Sequence, residues 1–405
     1  MARPKLRFKG FNKEWENVSL LSCSELITKG TTPKAFIGGN VNYLKIEAIK
    51  DGLFDLDKCQ TISQEIHRGE LKRSILKNND LLFAIAGATI GKNAKVKENI
   101  LPANTNQALA IIRLNSSVDI NFVYYVINSD VMTKYINDNV VTGAQPNMNL
   151  KQLGDFTFAI PDSEEQTKIA NFLTAVDGKI SQLNEQHQLM IQYKKGVMQK
   201  IFNQEIRFKD DNGEEFGEWE EKKLSDIANF RRGSFPQPYG LAKWLDPNGM
   251  PFVQVFDVSD NLKLKNFTKI KISKLAQEKS VFVKKGTLII TIQGTIGRVA
   301  KMQYDAYVDR TLLIFQSYKI DVNIDFIKYA LFLLFELEKE KADGGVIKTI
   351  TKETLSSFTL QLPSIKEQAQ IANFLDVLDE KINNTFEQLQ TVKQWKKGLL
   401  QQMLV

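Results

Sequence analysis

Apolar residues alternate in steps of four and three along two long stretches of the chain. One stretch follows Pro161 and the other follows Pro363, and a helix can begin just after such a proline. The spacing is typical of the a and d positions of a coiled coil. The predicted seam positions are Ile169, Leu173, Val176, Ile180, Leu183, Met190, Val197, Ile371, Leu375, Leu378, Ile382, Leu389, Val392 and Leu399.

Polar residues interrupt this seam at His187, Lys194, Thr385 and Lys396, and the two lysines hold equivalent places. Ordinary surface helices run about 8 to 20 residues, and these stretches are about twice as long. We therefore predict two long antiparallel coiled-coil helices that form a rod ~50 Å long. The alternative is a pair of amphipathic helices, each lying on its own domain.

The segments between the long helices combine strand and helix patterns. Residues 81–85 and 288–292 are apolar, β-prone and followed by glycine, which predicts buried strands that run into turns. Residues 122–136 and 326–337 have helical spacing after the N-cap candidates Asp119 and Asn323. These patterns predict a mixed α/β fold for both segments.

The chain is a tandem repeat. Glu-Gln and Ile-Ala-Asn-Phe-Leu at 165–166 and 169–173 recur at 367–368 and 371–375, and Arg-Phe-Lys at 7–9 recurs at 207–209. Repetition of this kind identifies the structural unit. We predict two α/β globular domains in tandem, residues 1–160 and 204–362, joined by the helices 161–203 and 363–405 with internal pseudo-twofold symmetry.

Charge is unevenly distributed. The chain carries 54 basic and 47 acidic side chains, a net charge of +7, but two basic regions stand out. Residues 58–97 have eight basic against three acidic side chains, and residues 263–301 have ten against one. Matching basic regions in two repeats favour a duplicated phosphate-contacting face. A lysine-rich solvated surface is the alternative.

Loops early and late in each domain add candidate DNA contacts. Their glycine, hydroxyl, amide and cationic side chains suit bonds to phosphates or base edges. The candidates from both the loops and the basic regions are Lys29, Thr31, Thr32, Lys34, Lys72, Arg73, Lys92, Gln145, Asn147, Arg231, Arg232, Ser234, Gln237, Tyr239, Lys271, Lys274, Arg298 and Lys348.

The sequence contains few residues or motifs that would indicate a catalytic or metal site. The sequence has no Pro-Pro pair, so the Asn/Asp-Pro-Pro-Tyr/Phe element of amino-group methyltransferases is missing, and two cysteines with two histidines form no metal-ligand spacing. A metal-dependent nuclease could be built from Asp162, Asp177 and Lys179, but the last two fall inside a predicted long helix, ~20 Å along the axis from the first. We expect no catalytic residue, metal or cofactor in this chain. With no apolar run near ~18 residues, we also expect no membrane span and a cytoplasmic location.

The ordered set of motifs resembles the DNA-specificity subunit of type I restriction–modification enzymes. The residues that carry the resemblance are Arg-Phe-Lys at 7–9, Trp15, the Thr-Ile-Gly turns, the Ile-Pro and Leu-Pro junctions with Glu-Gln and Ile-Ala-Asn-Phe-Leu, and the Lys-Lys-Gly ends at 194–196 and 396–398. The resemblance covers the whole chain.

The resemblance implies a non-catalytic subunit that binds double-stranded DNA. Each target-recognition domain would read one half of a split, asymmetric target, and the helices would fix the spacer. Two methylation subunits that bind S-adenosylmethionine, together with restriction and translocation subunits that use ATP and magnesium, would supply the chemistry. A self-contained metal-dependent nuclease and a coiled-coil scaffold without a DNA role are the alternatives.

Overall fold

The computed structural model describes residues 4–50, 52–140, 146–341 and 351–405. The first repeat supplies these elements: β1 (Glu16–Ser19), β2 (Ser24–Lys29), β3 (Val41–Leu44), β4 (Ile49–Lys50), β5 (Leu53–Phe54), β6 (Gln60–Ile62), α1 (Gln64–Arg68), β7 (Leu81–Ala84), β8 (Asn93–Lys95), β9 (Ala103–Thr105), β10 (Leu109–Leu114), α2 (Ile120–Ile127), α3 (Asp130–Asn139), α4 (Leu150–Gly154), β11 (Thr157–Ile160) and α5 (Ser163–Phe202).

The second repeat follows the same plan. Its elements are β12 (Glu220–Lys223), α6 (Leu224–Ile227), β13 (Ala228–Arg232), β14 (Leu245–Val253), β15 (Ile270–Ile272), α7 (Lys274–Gln277), β16 (Val281–Val283), β17 (Leu288–Thr291), β18 (Val299–Lys301), β19 (Ala306–Val308), β20 (Leu312–Tyr318), α8 (Ile324–Lys341), α9 (Lys352–Ser357), β21 (Thr359–Leu362) and α10 (Ile365–Met403). Short 3-10 helices, among them Lys72–Ser74 and Val255–Asp257, join several of these elements.

The chain forms two compact units, and each takes part of both long helices. Unit 1 comprises Met1–Gln186 and Thr385–Val405, and unit 2 comprises His187–Asn384. Our domain borders at 160, 203 and 362 follow the sequence repeat, so they divide the chain differently and stay a prediction.

The main four-stranded sheet has the same strand order in the two units, and the second sheet has one strand more in unit 2. Unit 1 has an antiparallel sheet β2-β10-β7-β8, a sheet β6-β3-β9 and the pair β1-β11, while unit 2 has β13-β20-β17-β18, β15-β14-β19-β16 and β12-β21. The β3–β9 and β14–β19 pairs are parallel, and the other pairs in these sheets are antiparallel. The predicted mixed α/β tandem repeat is therefore confirmed.

The central strands β7 and β17 are apolar except at Thr291, because both faces are covered. In β7, Phe83 joins the core formed with α2 and α5, whereas Leu82 joins a second core on the opposite face. In β17, Ile290 and Ile289 divide in the same way. Burial on both faces explains the continuous hydrophobic runs that predicted these strands.

One predicted helix is two helices. Residues 122–136 are interrupted between α2 and α3, because the Ser129 side chain accepts a hydrogen bond from the Val131 backbone N–H and caps a new helix. The N-cap prediction at Asp119 is confirmed, since its Oδ1 accepts the N–H groups of Asn121 and Phe122 at 2.9 and 3.0 Å. The error arose because apolar spacing continues across the break.

In each unit, the segments of α5 and α10 run antiparallel. In unit 1, the Leu6 backbone N–H donates to the Gln402 carbonyl, and the next residue, Arg7, donates to Glu165. This places the start of α5 beside the end of α10. Further along, Asp177 pairs with Lys396. Residue numbers therefore rise along one segment while they fall along the other.

The predicted seam is mostly buried. The seam residues with less than a tenth of their surface exposed are Ile169, Leu173, Val176, Leu183, Ile371, Leu375, Leu389 and Leu399. Those that are half-buried are Ile180, Met190, Val197, Leu378, Ile382 and Val392. C-terminal to Lys194, Met198 and Ile201 are buried in the core of unit 2, whereas the predicted seam residue Val197 is half-buried. The buried face of α5 is therefore shifted there by about one residue from the predicted seam position.

A buried carboxylate fastens the first domain to the helix that follows it. Glu165 lies in the first turn of α5, and its Oε1 and Oε2 accept bonds of 2.7 Å from Nε and Nη2 of Arg7. Trp15 Nε1 donates to Oε2 at 3.2 Å. The segment that enters the domain is thereby fixed to the helix that leaves it, through a bidentate charge-assisted contact.

Unit 2 repeats this joint with one bond fewer. Arg207 donates to both oxygens of Glu367, at 3.2 and 2.7 Å. Among the described residues, Trp219 Nε1 has no hydrogen-bond partner. The Arg-Phe-Lys, tryptophan and Glu-Gln motifs thus meet at the same structural joint in both units.

The glutamine of each Glu-Gln pair closes the same joint from the other side. Gln166 accepts the backbone N–H of Asp119 at 2.9 Å and donates to the Pro161 carbonyl at 2.9 Å. Gln368 makes the two equivalent bonds in unit 2, each of 2.9 Å. The start of each long helix is therefore bonded to the residue at the N-terminus of an earlier helix of the domain, α2 in unit 1 and α8 in unit 2.

The lysines that interrupt the seam are paired with aspartates. In unit 1, Lys396 Nζ lies 2.6 Å from Asp177 Oδ1, and Tyr125 donates its hydroxyl to Asp177 Oδ2 at 2.9 Å. Lys396 also lies 5.4 Å from the centre of the Tyr125 ring. The polar interruption is thus a satisfied cluster that joins the two helical segments to the domain.

Unit 2 contains the equivalent cluster. Lys194 Nζ lies 2.5 Å from Asp379 Oδ1. The Tyr329 hydroxyl lies 2.6 Å from Asp379 Oδ2 and 2.7 Å from Asp376 Oδ1, so its one proton can be donated to either carboxylate. Burial lowers the pKa of Lys194 from its ordinary value, and the Asp379 carboxylate opposes that shift. Burial and the neighbouring carboxylates raise the pKa of Tyr329, which holds it as a protonated donor.

Glu165→Gln is expected to destabilise the protein by about 2 to 4 kcal/mol, because Arg7 would keep its charge without its buried partner. Glu367→Gln is expected to cost about 1 kcal/mol less, since no tryptophan bond is lost there. Urea unfolding of the two variants beside the unaltered chain measures both values. Equal costs would contradict the role assigned to the Trp15 bond.

Lys396 and Asp177 are expected to show a coupling energy of about 1 kcal/mol in a double-mutant cycle with alanine, because the Lys396 side chain is only 23% exposed and the two charges lie 2.6 Å apart. The control is the pair Lys13 and Asp162, 3.5 Å apart in the same unit with a lysine that is 83% exposed, and it is expected to give less than about 0.5 kcal/mol. Chemical denaturation of the single and double variants supplies both cycles. Equal coupling in the two pairs would show that the seam cluster is no stronger than a surface ion pair.

Candidate nucleic-acid interface

The early loop of each unit, residues 29–34 in unit 1 and 231–239 in unit 2, is held by a backbone frame that recurs in both units. In unit 1, the N–H groups of Gly30 and Thr31 donate to the carbonyls of Leu109 and Thr105, at 3.1 and 2.9 Å. In unit 2, those of Gly233 and Ser234 donate to the carbonyls of Leu312 and Val308, at 3.1 and 3.0 Å. Residues 30 and 31 of unit 1 are therefore structurally equivalent to residues 233 and 234 of unit 2.

The two glycines are required by close backbone approach. A Cβ on Gly30 would lie 2.1 Å from the Asn106 carbonyl oxygen, and a Cβ on Gly233 would lie 2.2 Å from that of Val308. No larger residue fits without moving the strand beside it.

In unit 1, the frame presents exposed side chains from the end of β2 onward. Lys29, Thr32 and Lys34 are exposed, while Thr31 is half-buried. The Lys34 N–H donates to Glu70 Oε1 at 2.9 Å, which brings the loop close to the chain segment that carries Lys72 and Arg73. These two cations are also exposed. Early loop and basic region thus meet in unit 1.

In unit 2, the early loop also meets its basic region. Ser234 Oγ donates to the Lys279 carbonyl at 3.0 Å, and Ser273, the N-cap of α7, donates to the Lys243 carbonyl at 2.8 Å. The exposed candidates here are Arg231, Arg232, Gln237, Tyr239, Lys271 and Lys274. Lys243, which was not among the sequence candidates, is exposed in the same region and lies over the Trp244 ring at 4.5 Å.

Two of the candidates are engaged inside the domain. Lys92 Nζ donates to the Ile46 carbonyl at 3.1 Å, and Arg298 Nη1 donates to the Val258 carbonyl at 3.0 Å. Both follow the glycine of a Thr-Ile-Gly turn, and both are half-buried. They tether equivalent turns, so a contact to DNA from either would compete with this bond.

The remaining cations of the basic regions are mostly exposed. In unit 1 these are Lys58, Arg68, Lys72, Arg73, Lys77 and Lys97, and in unit 2 they are Lys263, Lys265, Lys269, Lys271, Lys274, Lys279, Lys284 and Lys285. The half-buried Lys95 and Lys301 bond Asn121 and Asp325, at 2.5 and 2.6 Å. The exposed set carries the positive potential toward solvent.

Of the late loops, residues 142–147 in unit 1 and 344–349 in unit 2, the structure describes only residues 146 and 147. Gln145 and Lys348 lie outside the described residues. Asn147 is exposed, and its neighbours bond the Thr-Ile-Gly turn, since the Gly87 N–H donates to the Pro146 carbonyl at 2.9 Å and the Met148 N–H to the Ile85 carbonyl at 2.8 Å. Asn147 therefore lies beside that turn.

The carboxylates of the nuclease alternative have other partners. Asp162 Oδ1 accepts the Glu165 backbone N–H at 3.0 Å at the start of α5, which lowers the pKa of Asp162. Asp177 is occupied by Lys396 and Tyr125. Among the described residues, no group of three histidine, cysteine, aspartate or glutamate side chains could hold a metal ion, and no helix is long and apolar enough to cross a membrane.

Comparison with known proteins agrees with the duplicated architecture. The domain family described as "Type I restriction modification DNA specificity domain" matches residues 12–192 and 217–394. A putative type I restriction enzyme MjaX specificity subunit from Methanocaldococcus jannaschii is 26% identical over 97% of this chain and 93% of its own. The EcoBI specificity subunit from Escherichia coli is 32% identical over 33% of this chain and 28% of its own.

Solved structures share the fold. The S subunit of a type I restriction–modification system from M. genitalium covers 100% of this chain and 99% of its own, with a TM-score of 0.58 and 14% identity. A chain from a structure titled as complex assembly and conformational transition of the type I R-M system gives a TM-score of 0.60 at 17% identity, over 96% of this chain and 97% of its own.

The two family matches cover most of the chain, one per repeat, and the family is defined by DNA specificity and not by catalysis, as we predicted. The chain belongs to the type I restriction–modification specificity (S) subunits.

Proposed function

We propose that each unit reads one half of a two-part DNA target and that the two halves differ in sequence. The observation that carries the proposal is the repeated early-loop frame, which has the same hydrogen bonds in both units but presents different side chains. Lys29 and Thr31 in unit 1 correspond to Arg232 and Ser234 in unit 2. A constant frame with variable outer residues is what two related but different readers require.

The basic regions would provide affinity that does not depend on sequence. Their exposed lysines and arginines can neutralise phosphates and position the domain on the duplex. In unit 2, the exposed Phe267 lies in the sequence between Lys265 and Lys269, and Lys269 Nζ lies 5.5 Å from the centre of the exposed Phe256 ring. Aromatic faces among cations favour nucleic acid over a purely solvated surface.

The long helices would set the spacer and bind partner subunits. Each helix runs from one compact unit into the other. Within unit 2, α5 exposes Leu189, Ile191 and Tyr193, with 57%, 42% and 58% of their surface accessible. Exposed apolar side chains on a helix suit docking of another protein.

The partners in this proposal are two methylation subunits, which would bind S-adenosylmethionine, and restriction and translocation subunits, which would use ATP and magnesium. The assembly would act on DNA in the cytoplasm. This chain would supply the DNA sequence specificity and would bind none of these cofactors itself.

Replacing residues 4–160 with residues 204–362 is expected to give a chain whose target contains the second half-site twice. The reverse replacement is expected to duplicate the first half-site. The joint residues travel with each domain, because Arg7 and Trp15 are exchanged for Arg207 and Trp219. Mapping N6-methyladenine across host DNA reads the outcome.

The controls for that experiment are the unaltered gene and its deletion. Deletion is expected to remove the two-part methylation pattern altogether. If either chimera modifies the original target, the assignment of one half-site to each unit is wrong.

Inserting one heptad after Gln186 and another after Asn384 is expected to lengthen the spacer by about three base pairs. Seven helical residues add ~10 Å, and a base pair rises ~3.4 Å. Both insertions keep the seam in phase, and both lie where the chain passes between the compact units. Methylation mapping measures the spacer, and insertion of seven residues in α5 alone is the control, expected to abolish modification. A change in the bases of either half-site would contradict the spacer role.

A further inference from the structure

A short turn between β9 and β10 recurs between β19 and β20. In unit 1, Asn106 Oδ1 accepts the Ala108 N–H at 3.2 Å, and in unit 2, Asp309 Oδ1 accepts the Thr311 N–H at 2.9 Å. The residue enclosed by this bond is Gln107 in one turn and Arg310 in the other. Both side chains are exposed.

The turn lies against the early loop in both units. The carbonyls that hold each early loop belong to the strands on either side of the turn, those of Thr105 and Leu109 in unit 1 and of Val308 and Leu312 in unit 2. The close approach of Gly233 to the Asp309 carbonyl oxygen, with a Cβ position only 2.4 Å away, leaves no room for the two segments to slide. The exposed side chain at the turn therefore has a fixed position beside the early loop.

In unit 2, the arginine stands over a fixed aromatic ring. The Arg310 guanidinium carbon lies 5.8 Å from the centre of the Tyr239 ring, a cation–π distance. Tyr239 donates its hydroxyl to Asp309 Oδ2 at 2.7 Å and accepts a bond from Gln254 Nε2 at 2.6 Å. Burial and the Asp309 bond raise the pKa of Tyr239, so the hydroxyl stays protonated.

This support distinguishes Arg310 from the lysines of the basic region. A lysine is a mobile point charge that suits phosphates, whereas a planar guanidinium held against a ring offers two parallel donors in a defined direction. Such a fork matches the O6 and N7 acceptors of guanine in the major groove. The amide of Gln107, at the equivalent position, matches the N7 acceptor and N6 donor of adenine.

We propose that Arg310 reads a guanine in the half-site bound by unit 2 and that Gln107 reads an adenine at the corresponding place in the half-site bound by unit 1. The inference rests on the proposed function, since it assigns single bases within the two half-sites. Tyr239 is a positioning residue, because it holds Arg310 and its own hydroxyl is bonded within the protein.

The test selects preferred duplexes from a random pool with the S subunit assembled with its methylation subunit. The unaltered complex is expected to select a two-part motif, and failure to do so would overturn the proposed function as well as this inference. With the motif in hand, Arg310→Gln is expected to change the preference at one position of one half-site from guanine toward adenine. The expected change in discrimination is about 10- to 100-fold.

Gln107→Arg is the matched control, because the same two residue types are exchanged on the same frame in the other unit. It is expected to change one position of the other half-site from adenine toward guanine and to leave the first half-site unaltered. Tyr239→Phe keeps the ring but removes the hydroxyl bonds. It is expected to weaken the guanine preference in the half-site of unit 2 and to leave that of unit 1 unchanged.

Other outcomes overturn the inference. If Arg310→Gln selects the original motif with equal discrimination, Arg310 reads no base. If Arg310→Gln and Arg310→Lys both weaken binding to all sequences equally, Arg310 is a phosphate contact. If Arg310→Gln loses binding while Arg310→Lys binds as the unaltered complex does, with the guanine preference intact, a positive charge at this position suffices and the bidentate reading is wrong.

Discussion

A buried carboxylate at the start of each long helix is the interaction on which the rest of the structure depends. Glu165 and Glu367 are fully desolvated, so each needs a cation and hydrogen-bond donors to be tolerated. Arg7 and Arg207 supply the cation from segments 158 and 160 residues away in sequence. The contact therefore brings together the entry and the exit of each domain, and it fixes where the helix begins relative to the strands.

The glutamate–arginine contact fixes each domain to the start of its long helix, and the polar clusters in the seam add further contacts between the domain and both helices. Asp177 and Asp379 each accept a bond from a tyrosine of the domain and pair with a lysine of the other helix. A lysine in an apolar seam costs free energy, which the paired aspartate offsets. Such polar positions also specify register, because a shift by one turn would leave both charges unpaired. The proposed function, in which the helices fix the distance between two half-site readers, requires register of this kind.

Much of this could be predicted from the sequence, because the repeat exposes every position that both copies retain. The seam, the mixed α/β fold and the N-caps followed from periodicity and local chemistry. The partners of retained residues could not be predicted, since Glu165 meets Arg7 only in the folded domain and sequence spacing carries no information about that contact. For the same reason Lys194 and Lys396 appeared as faults in the seam, although each completes a cluster.

The candidate DNA contacts stay a prediction, and the exposure of each depends on the backbone, which sequence spacing does not give. Lys92 and Arg298 looked like free cations in basic regions, yet both bond carbonyls within their own domains. Gln107 and Arg310, which we propose as base readers, were not among the sequence candidates because no charge run or loop motif marks a three-residue turn between two strands. They become visible once the strand pairing places that turn beside the early loop. Variation matters most at positions of this kind, where a rigid frame repeated in both units holds two different side chains in the same place.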